Sequence, residues 1–213
     1  MKLHTTAGSP NGRKVQAVIL HLKLDVEVQH YNLFRGELRQ PEYLALNPNG
    51  SVPTLVDGDF VLWESNAIMQ YLADTAGDAQ LFPRDLRTRA DTVRWQCWEL
   101  AHFNKALGIL AFETVAKPRN QAGPPDLVRV EGARSDLARY APVLDAHMAH
   151  REYVVGNSIT IADYSLLALE GYRALVPFDF REYRNLNAYF DHVRTADAWQ
   201  RSAASGAGGA KAA

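Results

Sequence analysis

The sequence predicts two domains, a small α/β domain with the element order βαβ-ββα over residues 1–76 and an all-helical domain over residues 87–201. Three observations carry that prediction. Near the start, two strand-like stretches flank a segment whose apolar residues recur at helical spacing. Asp57-Gly58 then separates two further apolar runs, as a hairpin turn does. Beyond residue 87 strand alternation disappears and only helical runs remain.

Residues 2–5 read as a strand, and Gly8, Ser9, Pro10, Asn11 and Gly12 as a loop. Val15, Val18, Ile19 and Leu22 mark a helix, and Val26 and Val28 alternate with Glu27 and Gln29 as a second strand. A crossover of that length suits two parallel strands. After a helical turn at residues 41–46, residues 52–56 and 60–63 form the hairpin. Ala67, Ile68, Tyr71 and Leu72 then give an amphipathic helix with Ser65 as its expected N-cap. Residues 77–86, with Pro83, read as a linker. Helical runs follow at 87–116, 125–149, 160–175 and 186–195. Thr160-Ile161-Ala162-Asp163 has the form of a capping box. Residues 202–213 are Ala, Gly and Ser with one Lys, a composition that predicts a flexible tail.

Composition narrows the function. With 47% hydrophobic and 22% charged residues, the 213-residue chain is that of a folded globular protein. A net charge of -1 supplies no overall basic field, so no nucleic-acid partner is expected. No apolar stretch approaches the roughly 20 residues that cross a bilayer, and residues 1–6 lack a signal-peptide layout. No membrane partner and a cytoplasmic location are therefore expected. The single cysteine, Cys97, rules out an intrachain disulfide and a Cys-x-x-Cys pair, and its place between Trp95 and Trp98 reads as a small buried hydrophobe. His147 and His150 lack a carboxylate or cysteine nearby and read as surface residues, so no metal is expected. Any thiol chemistry must borrow its thiol.

Three segments point to such a thiol, because the topology brings them to one side of the sheet. Ser9 and Asn11 lie at the start of the first helix, whose free N–H groups and dipole favour an anion, and each side chain can donate a hydrogen bond. Lowering an ordinary thiol pKa of about 8.5 by roughly 2 units takes about 2.7 kcal/mol. Pro53 sits where a strand opens, and a cis bond after Val52 would turn that residue's backbone outward for a peptide to pair with. Glu64 and Ser65 can grip an amino-acid head group, Glu64 the ammonium and Ser65 with its N–H the carboxylate. Taken singly, Ser9 or Asn11 and Ser65 read equally as helix caps. Together the segments favour a thiol peptide.

The strings Ser9-Pro10-Asn11-Gly12-Arg13-Lys14, Asn47-Pro48-Asn49-Gly50-Ser51-Val52-Pro53-Thr54-Leu55 and Trp63-Glu64-Ser65-Asn66-Ala67-Ile68 resemble the soluble glutathione transferases, and Gly156-Asn157-Ser158-Ile159-Thr160-Ile161-Ala162-Asp163 resembles the capping motif of that family's helical domain. The resemblance implies a thioredoxin-like first domain, and a helical domain that shapes the pocket for a small hydrophobic electrophile or a disulfide. It also implies a homodimer active in detoxification, with glutathione as co-substrate. Val52 would hold glutathione through its backbone before a cis Pro53, and Glu64 and Ser65 through side chains. Ser9 or Asn11 would activate the thiol, Asn11 being favoured by similarity to bacterial Nu-class members and Ser9 by theta-like ones. Ser51 stands where many relatives carry Lys or His near the glycine carboxylate of glutathione, a contact that Arg39, Gln40 or Arg13 can replace.

Two further readings share these residues: a disulfide reductase or isomerase using glutathione, and a non-catalytic interaction module of the same fold. The intact Asn11, Val52-Pro53 and Glu64-Ser65 set disfavours the module. Trp95, Trp98, Phe103 and Phe112 are candidates for an apolar second-substrate pocket, although aromatics at helical spacing also serve as core.

Overall fold

Residues 1–207 are described by a computed structural model, in which the chain divides into two units. One comprises Met1–Phe82 together with residues 195–207; the other is Pro83–Arg194. The first contains β1 (Lys2–Thr6), α1 (Pro10–His21), β2 (Glu27–Tyr31), α2 (Pro41–Leu46), β3 (Thr54–Asp57), β4 (Phe60–Trp63) and α3 (Ser65–Ala76). The second contains α4 (Leu86–Trp98), α5 (Asn104–Ala111), α6 (Lys117–Arg119), α7 (Leu127–His147), α8 (Ile161–Leu167) and α9 (Arg184–Val193). The last helix, α10 (Asp197–Ala207), returns to the first unit.

The sheet order is β2-β1-β3-β4. β1 pairs parallel with β2, Leu3 opposite Val28, and antiparallel with β3, Leu3 opposite Leu55. The crossover helix α1 makes the parallel pair possible. The β3–β4 hairpin pairs Asp57 with Phe60 around Gly58, whose φ of +62° an L side chain rarely adopts. Leu3, Leu55, Val15, Val18, Ile68, Met69 and Leu72 are buried where α1 and α3 meet the sheet. β3 starts at Thr54, so Val52 and Pro53 lie outside the pairing where the sequence reading placed them within a strand.

The tail differs from its expectation. Residues 202–207 continue α10, and 208–213 lie outside the described residues. The reason is Trp199, 1% exposed, against which the Arg13 guanidinium lies 3.8 Å from the ring centroid. Arg13 also donates to the Trp199 carbonyl and to Ser202 Oγ, both at 3.2 Å. A helix anchored this firmly tolerates an Ala-rich continuation. The sequence reading, which ran the helical domain to residue 201, is corrected accordingly.

In the helical unit, α4, α5 and α6 form one run interrupted by π-turns at Glu99–Phe103 and Phe112–Ala116. The first lets Asn104 donate at 2.7 Å to Glu99, and Asn104 further donates at 3.0 Å to the Ser165 carbonyl of α8. Phe103, Leu107 and Leu110 pack with Leu137, Leu144, Ile161, Leu166 and Phe190 in the core. The helix expected over 160–175 stops at Leu167, followed by a 3-10 turn at Glu170–Tyr172. Cys97 is exposed, not buried, because Trp95 and Gln96 occupy the inward face of α4. His147, read as a surface residue, bonds the Val154 carbonyl at 2.8 Å and packs 4.5 Å from Trp95.

The capping box forms at Thr160–Asp163. Asp163 is fully buried and accepts hydrogen bonds from the N–H groups of Val154 and Thr160 and the hydroxyls of Thr160 and Tyr189. Burial nevertheless pushes its carboxyl up to about 6, with those hydrogen bonds opposing. A carboxyl raised on folding binds its proton more tightly in the folded state between its unfolded and folded pKa values. Its contribution is therefore greatest below the unfolded value and declines as pH rises to about 6. Relative to Asp163→Asn, the wild type is expected to lose about 2 kcal/mol of unfolding free energy between pH 4 and 6, measured by urea denaturation across that range. Trp199→Ala is expected to lower unfolding free energy by about 3 to 5 kcal/mol, and an unchanged urea midpoint would show that α10 adds nothing to the first unit.

Candidate active site

The first turn of α1 is fixed by its cap and leaves free backbone N–H groups at its start. Ser9 is its N-cap, with Oγ accepting from Gly12 N–H at 3.0 Å, and Pro10 occupies the first helical position where its missing N–H is harmless. The Asn11 N–H has no intrahelical acceptor. Gly8, at φ +74°, supplies the left-handed turn between β1 and the cap. A Cβ on Gly12 would collide with Thr5 Oγ1, so only glycine lets α1 approach the end of β1 this closely.

Asn11 is exposed, and its Oδ1 faces the hydroxyl of Ser65, 7% exposed, at 3.5 Å. That contact joins the start of α1 to the start of α3 and leaves the Asn11 NH2 group as an available donor. Lys14, 1% exposed, reaches across at the next turn, Nζ to Asn66 Oδ1 at 2.7 Å. Glu64 occupies the cap position of α3 at φ 74° and ψ 109°, without a side-chain capping bond, and Ser65 is the first helical residue instead of the cap. A non-glycine residue at positive φ is strained, and such strain concentrates at functional positions. It leaves the Glu64 carboxylate exposed beside the N–H groups of α3.

The Val52-Pro53 bond is cis. The preceding loop is fixed by its own polar groups: Tyr43 Oη donates to the Ser51 carbonyl at 2.5 Å and Asn47 Nδ2 to the same oxygen at 2.9 Å. Gly50, at φ +57°, lies under the Arg39 guanidinium, and a Cβ there would sit 2.5 Å from Nη1 and 3.0 Å from the Leu38 carbonyl. Arg39 is thus held against the loop that carries Ser51. Gln40 is exposed and precedes α2.

The structure accordingly brings Ser9, Asn11 and Ser65 together, and places Arg39 against the loop of Ser51, Val52 and Pro53. Arg13, offered as a carboxylate partner, is engaged with α10 instead. Of the aromatics read as pocket candidates, Trp95 and Phe103 belong to the core of the helical unit, Trp98 is half-buried and Phe112 is 47% exposed. Sequence reasoning missed Tyr43, Asn47 and Lys14. Asn47 and Lys14 each stood in a quoted motif, whereas Tyr43 in a short helix carries no local signal. Among the described residues no group of His, Cys, Asp or Glu is arranged to hold a metal ion, and no helix is long and apolar enough to cross a membrane.

A thioredoxin-like α/β unit with a cis-proline loop, in a chain whose other unit is all-helical, defines the class of fold. Comparison with known proteins makes this specific. The model of the glutathione S-transferase N-terminal domain matches residues 1–74, and that of the C-terminal domain residues 124–197. Glutathione S-transferase 3 of Zea mays is 33% identical over 212 residues, covering 96% of this chain and 93% of the relative. Glutathione transferase F7 of Populus trichocarpa superposes with a TM-score of 0.87 at 25% identity, over 96% of this chain and 98% of its own. Glutathione transferase URE2P6 of Phanerochaete chrysosporium, solved in complex with oxidized glutathione, has a TM-score of 0.85 at 26% identity, over 97% and 96%. The chain belongs to the glutathione S-transferase family. The Nu-like or theta-like subdivision fits these plant and fungal relatives only loosely.

The loop geometry yields a test. Gly50→Ala is expected to cost about 1 to 2 kcal/mol from its left-handed φ alone, plus the displacement of Arg39. Adding Arg39→Ala relieves only the second part, so full recovery of the urea midpoint in the double variant would contradict the assigned strain.

Proposed function

We propose that this protein is an enzyme, a glutathione transferase, that binds reduced glutathione in its α/β unit and presents the thiolate to a small hydrophobic electrophile. The observation that carries the reading is the meeting of the α1 and α3 starts through Asn11 and Ser65, which sets a thiolate-favouring helix end beside an amino-acid clamp. Glu64 takes the ammonium of the γ-glutamyl group, and the Ser65 N–H takes the carboxylate together with the Ser65 hydroxyl, whose hydrogen turns to it from Asn11 Oδ1 when glutathione binds. Val52 pairs with the cysteinyl backbone ahead of Pro53. Arg39, aided by Gln40 and Ser51, meets the glycine carboxylate, since Arg39 is the cation already lying along that loop. In the reaction the sulfur lone pair forms the S–C bond to the electrophile, and the leaving group, where there is one, departs with its electron pair.

Asn11 is the thiol activator in this reading and Ser9 its support. Ser9 Oγ already accepts the Gly12 N–H as the helix cap, whereas the Asn11 NH2 group remains free to donate. The homodimer, the cytoplasmic location and the electrophile itself rest on the family resemblance. Reduction of a disulfide through the same thiolate is the second reading, supported by the oxidized glutathione in the fungal relative.

Titration of the bound thiol by its thiolate absorbance against pH tests this. The wild type is expected to hold the glutathione thiol about 2 units below its usual value near 8.5. Asn11→Ala should lose most of that shift. Ser9→Ala should lose less of it while destabilising the fold by about 1 kcal/mol through the lost cap. Absence of glutathione binding in calorimetry would sink the proposal, and loss of the shift in Ser9→Ala alone would transfer the role to Ser9.

A further inference from the structure

The hydrogen bonds around residue 51 close on themselves, and their accounting picks out one side chain. Tyr43, 2% exposed, has one hydroxyl hydrogen and donates it to the Ser51 carbonyl at 2.5 Å. The 3.0 Å contact between Tyr43 Oη and Thr54 Oγ1 must then be donated by the threonine. Asn47 spends its two amide hydrogens on the Ser51 carbonyl at 2.9 Å and on Thr54 Oγ1 at 3.1 Å. Its Oδ1 accepts from the backbone and side-chain nitrogens of Asn49, both at 3.0 Å. The hydroxyl hydrogens of Tyr43 and Thr54 and both amide hydrogens of Asn47 are thereby spent inside the loop.

Both lone pairs of one carbonyl are thus held by two buried side chains, and the consequence falls on the next residue. The peptide unit joining Ser51 to Val52 is planar and trans, so its N–H points opposite to its C=O. With the carbonyl pinned toward α2, the Val52 N–H is turned away from α2, outside the ladder that begins at Thr54. Tyr43 is braced in turn. Its ring meets that of Tyr31 edge-on at 4.9 Å, and the Tyr31 hydroxyl bonds His4 Nδ1 of the central strand at 2.9 Å. A continuous path therefore runs from β1 through β2 and α2 to the loop.

We infer that Tyr43, with Asn47 as second donor, is a positioning residue that aims the Val52 N–H at the backbone of the bound thiol peptide. The role is distinct from activation of the thiol, which lies at the start of α1, and it rests on the reading of the site as a glutathione site. It makes a separable claim. Loosening the Ser51 carbonyl blurs the peptide edge and weakens capture of glutathione, while leaving the thiolate donors where they are.

Tyr43→Phe removes the hydroxyl and keeps the ring against Tyr31, and Asn47→Ala removes the other donor. The experiment measures KM for glutathione, kcat with 1-chloro-2,4-dinitrobenzene and the pKa of the bound thiol for the wild type, each variant and the double variant. One hydrogen bond lost from a shared acceptor should raise KM for glutathione about 3- to 10-fold. At saturating glutathione kcat should hold, and the thiol pKa should stay where the wild type has it. The double variant should raise KM by more than the product of the single effects, because either donor alone still holds the oxygen that both share. Unchanged KM in both single variants overturns the inference, as does a KM rise accompanied by a raised thiol pKa and a fallen kcat, the signature of a collapsed site. A wild type that does not bind glutathione overturns the underlying reading as well, which the first titration alone reveals.

Discussion

The α/β unit depends on how closely the first turn of α1 approaches the end of β1. That approach exists because Gly12 has no Cβ where Thr5 Oγ1 stands. Once it is made, the two following residues are committed. Arg13 leaves the helix toward Trp199 and fixes α10, and Lys14 leaves it toward Asn66 and fixes the start of α3. Three consecutive residues thereby bind the helix to three other elements. The loop before them is held short, with Ser9 as cap and the Asn11 side chain exposed at its edge. The polar groups at the helix start are preorganised by packing that lies behind them.

Much of this was legible. Hydrophobic spacing located β1, α1, β2 and the hairpin because each has a period or a turn residue that few alternatives share. Asp163 in the capping box was legible for the same reason, since the motif is local. What escaped was set by distant partners. The composition from residue 202 argued for a mobile tail, but residues 202–207 continue α10, because Trp199, just before them, finds Arg13, 186 residues away, and no local pattern records that pairing. Cys97 was misplaced because a helix with tryptophans on both sides of a cysteine can turn either face inward, and only the packing of Trp95 decides it. Tyr43 carries no local signal in its short helix, because its hydroxyl finds its partner in the next loop.

The two units use buried polar groups differently. In the helical unit Asp163, Asn104 and Glu99 bond to backbone or to one another and tie helices together. Removing any of them leaves a buried partner unsatisfied, which makes them matters of stability. Around the α1 start the bonds are instead arranged so that donors are left over. Ser9 spends its oxygen and keeps its hydrogen, and Asn11 spends its carbonyl and keeps its NH2. Leftover donors beside a helix N-terminus, partly exposed, attract an anion at little cost to the fold.

Magnitudes decide how much more the site requires. Holding a thiol about 2 units below its usual pKa takes about 2.7 kcal/mol. A hydrogen bond to a charged group contributes about 1.5 to 3 kcal/mol and a helix end about 0.3 to 1, so one amide donor and the α1 terminus together reach the required range. No cationic side chain needs to touch the sulfur. This agrees with the structure, in which Arg13 and Lys14, the cations nearest in sequence, are directed to α10 and to Asn66. A cation at the sulfur would stabilise the bound thiolate further but would also hold it back from the electrophile. A neutral donor gives enough stabilisation to form the nucleophile and leaves it reactive, since nucleophilicity falls as the thiol pKa falls.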